Sequence, residues 1–126
     1  MLETALREVL AAARRKNLPD TTALPRVLVS LNIKLSHVLD LTSGSVRQHI
    51  RVSKKQMIEE AWWKENYFDR ESTTQALGRA TTEAGFEGII VPSAADQPNG
   101  INFVVFSENL RANSAVQLES PINWKP

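Results

Sequence analysis

The chain of 126 residues contains no cysteine, which excludes disulfides, Cys-ligated zinc and a thiol nucleophile. Its two histidines, His37 and His49, lack metal-ligand spacing, and no HExxH or EF-hand pattern occurs, so no metal site is expected. Excess charge of one sign is also missing. Fifteen Lys and Arg against fourteen Asp and Glu leave a net charge of +1, with the two signs interleaved, which argues against a broad footprint for nucleic acid. No apolar run approaches the roughly 18 residues of a bilayer span, so no membrane role is expected. The N-terminus enters an amphipathic helix at once, without a signal-peptide pattern, and a cytoplasmic protein is the expectation. No GxSxG elbow, Walker loop or GxGxxG is found. The length suits one domain, and the 42% hydrophobic content suits one ordinary core.

The stretch from Gly85 to Phe106 organises what is present. Ile89, Ile90 and Val91 form a β-branched run fit for a covered strand. Pro92 lacks an N–H and ends it, which puts Ser93 at a strand exit, a common address for functional side chains. Pro98, Asn99 and Gly100 supply turn chemistry, and Ile101 to Phe106 rebuild a returning strand.

Upstream, Leu2, Ala5, Leu6, Val9, Leu10 and Ala13 recur at helical spacing, and Asn17 and Pro19 end that helix. Within it, Glu8 has no cation at three or four residues' distance; its neighbours there are Thr4, Ala5, Ala11 and Ala12. It reads either as a solvated helix glutamate or as a carboxylate that a ligand can approach. Val27, Val29, Leu31, Ile33 and Leu35 alternate with polar residues, as expected of a long half-buried strand, which Val38 to Leu41 extend after a bend. Asp40 at its end reads as structural. Thr42 and Ser53 are expected to cap short helices. The segment Ala61–Phe68 holds Trp62, Trp63, Tyr67 and Phe68, either a satellite core or a partner surface; Glu59, Glu60 and Glu65 disfavour nucleic acid. Ser72 and Gln75 fit a capping box, and Gly85 fits the left-handed residue that closes the helix. The Arg70-Glu71-Ser72 tripeptide reads as solvated charge beside that cap. A final short strand is expected at Ala115–Leu118. The simplest assembly is α+β, a largely antiparallel sheet flanked by helices.

Three segments, LPRVLVSLNIKLSHVLDLT (Leu24–Thr42), STTQALGRATTEAGFEGIIVPSA (Ser72–Ala94) and NGINFVVF (Asn99–Phe106), together with Thr4-Ala5-Leu6-Arg7-Glu8, resemble the RES domain family in order and spacing. The resemblance implies a fold like the ADP-ribosyltransferases. It implies a bacterial toxin that consumes NAD at the nicotinamide glycosidic bond, by hydrolysis, phosphorolysis or ADP-ribosyl transfer. It further implies an Xre-type antitoxin as partner, with a homo-oligomer also in view. The family's glutamate falls on Glu8 and its serine on Ser93, with Asn102 in the same NAD pocket. The family's arginine and an associated tyrosine lie before the glutamate helix and have no counterpart here. The chain is therefore expected to be the C-terminal two-thirds of the domain, residues 1–126. The alternative expectation is an inactive domain that only docks an antitoxin or a second copy.

Overall fold

In the computed structural model of the chain, residues 2–23, 27–59 and 70–122 are described. The aromatic segment 61–68 and Trp124 lie outside them. Helix α1 (Leu2–Arg15) is followed by a 3₁₀ turn (Asp20–Ala23) and strands β1 (Leu28–Lys34) and β2 (Val38–Asp40). Helices α2 (Gly44–Ile50), α3 (Lys54–Glu59) and α4 (Thr73–Glu83) come next. Strands β3 (Gly88–Pro92) and β4 (Ile101–Val105), a 3₁₀ turn (Ser107–Asn109) and β5 (Ala115–Ile122) complete the order. The architecture is mixed α+β.

Local chemistry sets the helix ends. Ser72 accepts the Gln75 N–H while the Gln75 side chain accepts the Ser72 N–H, the reciprocal capping box that opens α4. Ser53 and Gln56 repeat that exchange at the start of α3. Gly85, at φ 86°, turns the chain out of α4 in a conformation that costs glycine little. At α2 the cap is Ser43 and not Thr42. Thr42 instead gives its N–H and hydroxyl to the Asp40 carboxylate, an Asx turn that makes Asp40 structural. Glu71 of the tripeptide is paired with Arg79, and Ser72 is spent on its cap.

The strands form two sheets. In one, β3 is central, parallel to β2 and antiparallel to β4; in the other, β1 and β5 pair antiparallel. The bend at Ser36-His37 therefore does not prolong a strand. It transfers the chain from one sheet to the other, because the buried Glu87 carboxylate accepts the Ser36 N–H and hydroxyl and the His37 N–H. Its second oxygen accepts the Arg111 N–H. Hydrogen bonding from Ser114, opposed by burial and aided by Arg111 and Ser36, holds Glu87 far below the usual carboxylate range. The hydrophobic core lies where α3 and α4 cover β3: Leu41, Met57 and Ile89 are buried, with Leu77, Val91 and Phe106 against them. Strand β1 buries less than its alternation predicts. A register irregularity falls between Val29 and Leu31, both are exposed, and Val27 is 82% exposed.

Candidate active site

The β3–β4 pairing sets one side of the site. Register places Val91 opposite Asn102 and Pro92 opposite Ile101, so Asn102 and the residue leaving β3, Ser93, come together. The Ser93 N–H donates to the Gly100 carbonyl at 2.8 Å, and the Gly100 N–H donates to the Asp96 carbonyl at 2.8 Å, which folds residues 93–100 back on themselves. Asp96 also donates its N–H to Ser93 Oγ at 3.1 Å.

Helix α1 brings the other side. Ser93 Oγ donates to Glu8 Oε1 at 2.6 Å, and Asn102 Nδ2 donates to the same oxygen at 2.7 Å. The structure thus gathers Glu8, Ser93 and Asn102, which are 85 and 94 residues apart along the chain, at one carboxylate oxygen. Among the described residues, Oε2 has no hydrogen-bond partner, and no buried side-chain polar atom is left unsatisfied, so Oε2 is not fully shut off from solvent. Ser93 is only 1% exposed. Its proton is given to Glu8 and its oxygen accepts from Asp96, so it stands behind the carboxylate and sets its orientation.

Two further residues of α1, both in the stretch that resembles the family, belong to this arrangement, though the sequence assigned neither to the site. Thr4, buried and one helical turn before Glu8, donates its hydroxyl to Asp96 Oδ2 at 2.7 Å. Arg7 lies 3.5 Å from Asp96 Oδ1 while bonding Glu3 at 2.6 Å, and these contacts, Glu3 first, raise its pKa. The i,i+4 spacing of Thr4 and Glu8 was the available clue: both face the 93–100 loop. Thr4 and Asn102 also border a groove of about 380 Å³ between α1, β1 and β4, walled by Leu2, Ala5, Leu28, Ile33 and Phe103. Chemically, the site offers one free carboxylate oxygen, held by two neutral donors on its other oxygen, close to an apolar groove. That arrangement suits stabilising positive charge that develops on a bound molecule. No group of three or more His, Asp or Glu that could hold a metal is present among the described residues. Nor is any helix among them long and apolar enough to cross a membrane.

No functionally curated protein matches the chain. Among solved structures it is similar to a chain of the M. tuberculosis MbcT–MbcA toxin–antitoxin complex, with a TM-score of 0.69 and 22% sequence identity. The likeness covers 94% of this chain and 60% of that one, and it establishes the shared fold. The RES domain family model matches residues 1–125, and with Glu8, Ser93 and Asn102 already gathered at one point, the chain takes its place as a member of the RES domain family.

Proposed function

We propose that this chain is part of a RES-family toxin that consumes NAD at the nicotinamide glycosidic bond, with Glu8 as the residue that meets the substrate. The reading is carried by one observation: Ser93 and Asn102 both donate to Glu8 Oε1, leaving Oε2 open. Departure of nicotinamide leaves an oxocarbenium-like ribose. A carboxylate oxygen beside that carbon stabilises its charge and accepts hydrogen bonds from ribose hydroxyls. Asn102 and Ser93 hold the carboxylate so that little reorientation accompanies charge development. The partner is proposed to be an Xre-type antitoxin in a cytoplasmic pair. This is supported by the neighbour's origin in a toxin–antitoxin complex.

Nicotinamide release from NAD by the purified protein, followed by chromatography, tests the proposal. Glu8→Gln should lower the rate by about 100-fold or more, as loss of a charge-stabilising group does. Ser93→Ala and Asn102→Ala should each lower it by roughly tenfold or more through loss of orientation. Equal release by wild type and Glu8→Gln would overturn the assignment. Absence of release, with an antitoxin still co-purifying, would replace it with the inactive docking domain.

A further inference from the structure

The loop that carries Ser93 also walls a second cleft, of about 300 Å³, bounded by Pro92, Gly100 and Asn99 on one side and by Thr42, Arg47 and Lys54 on the other. Among the described residues, every arginine and lysine is exposed except two. Those two, Arg47 and Lys54, are half-buried, and both face this cleft. Neither has a carboxylate partner there. Arg47 Nη1 donates to the Leu41 carbonyl at 2.8 Å, and Lys54 Nζ donates to the Pro98 carbonyl at 3.1 Å. Several exposed cations do have acidic partners: Arg7 with Glu3, Arg14 with Asp20, Lys55 with Glu59 and Arg79 with Glu71. These ion pairs lie at the surface, where they contribute little, while Arg47 and Lys54, the two half-buried cations among the described residues, have no counter-charge there.

Asp40, the acidic group nearest Arg47 in the sequence, is turned onto the Thr42 N–H and hydroxyl, and no carboxylate among the described residues lines the cleft. A guanidinium has five N–H donors and an ammonium three, and one of each is committed to a carbonyl, so most remain available. The carbonyl bonds fix where both cations sit. Arg47 supplies a planar fork of donors, Lys54 a point charge, and Asn99 also lines the cleft, a set that suits a multiply charged oxyanion such as a phosphoryl group.

The geometry points to a phosphoryl-binding site at Arg47 and Lys54, distinct from Glu8, which does not line this cleft. Its ligand is a phosphoryl group, free or borne by a nucleotide. Titration of the full chain with inorganic phosphate and, separately, with ADP, followed by calorimetry in low-salt, phosphate-free buffer, tests it. Saturable binding is expected, weakening as salt is added. Lys54→Ala should weaken it by about tenfold or more, Lys54→Arg should preserve it, and Glu8→Gln should leave it unchanged. Arg47→Ala should act like Lys54→Ala; if it fails to fold, Lys54→Glu carries the same test by reversing the charge. Equal affinity for the two probes assigns free phosphate as the sufficient ligand, and tighter binding of ADP assigns a nucleotide. Absence of saturable binding of either probe up to roughly 10 mM, or binding unaltered by Lys54→Ala, would overturn the site whatever the outcome of the NAD assay.

Discussion

Replacing Gly100 with alanine should damage this fold out of proportion to the one methyl added. An added Cβ would lie 2.6 Å from Asp96 Cβ and 2.8 Å from its Cγ, with the Asp96 carbonyl oxygen closer still. That oxygen belongs to the backbone and is itself the acceptor of the Gly100 N–H, so it cannot move aside without breaking the loop's closing bond. Overpacking of this kind costs about 1–3 kcal/mol. Losing the Gly100–Asp96 and Ser93–Gly100 hydrogen bonds adds about 1 kcal/mol in all, a net of about 2–4 kcal/mol. At this chain length one kcal/mol moves Tm by about 3–5 °C, so the midpoint should fall by about 6–20 °C in a circular-dichroism melt. Gly78 supplies the control: nothing lies within 4 Å of its would-be Cβ, and it sits inside α4. Gly78→Ala should stabilise the fold through helix propensity by about 0.5–1 kcal/mol, and so raise Tm by about 2–5 °C. A Gly100→Ala midpoint within about 2 °C of wild type would refute the claim that the loop is sterically closed on Asp96.

Two further outcomes follow from the caps and the buried carboxylate. Ser72→Ala removes the hydroxyl of a capping box that is 1% exposed and should cost about 1–2 kcal/mol, read as a Tm decrease of several degrees. Glu87 has a folded pKa far below the unfolded value of 4.5, so the unfolded chain binds its proton first as pH falls. Its contribution is complete above about pH 5 and is lost progressively below pH 4.5, toward the depressed folded value. Wild type should therefore melt well above Glu87→Gln at pH 7, with the gap narrowing below pH 4.5. A constant gap from pH 7 to pH 3 would contradict the assignment.

Much of the fold was legible because short-range chemistry decides it. The Ser72–Gln75 box, Gly85 and the β3–β4 hairpin rest on residues a few positions apart, where spacing alone identifies partners. The meeting of Glu8 with Ser93 and Asn102 came from family resemblance, since nothing local to Glu8 names a partner 85 residues away. Thr4 stands in the family-like helix, but its bond to Asp96 had no sequence signal, because a threonine in a helix and an aspartate in a turn each have ordinary local explanations. Glu87 was invisible for a different reason: most of its partners are backbone N–H groups, which every residue but proline carries. The parallel pairing of β2 with β3 was likewise hidden. Val38–Asp40 spans three residues, too short to display which sheet it will join.

No residue of α1 belongs to the cluster around Leu41, Met57 and Ile89, and the helix meets the 93–102 hairpin through Thr4 with Asp96 and Glu8 with Ser93 and Asn102. The site and the docking of the first helix are therefore one event. A partial opening that lifts this helix dismantles the carboxylate's setting while the body stays folded, so the Glu8–Ser93–Asn102 arrangement has its own stability, which cannot exceed that of the protein as a whole.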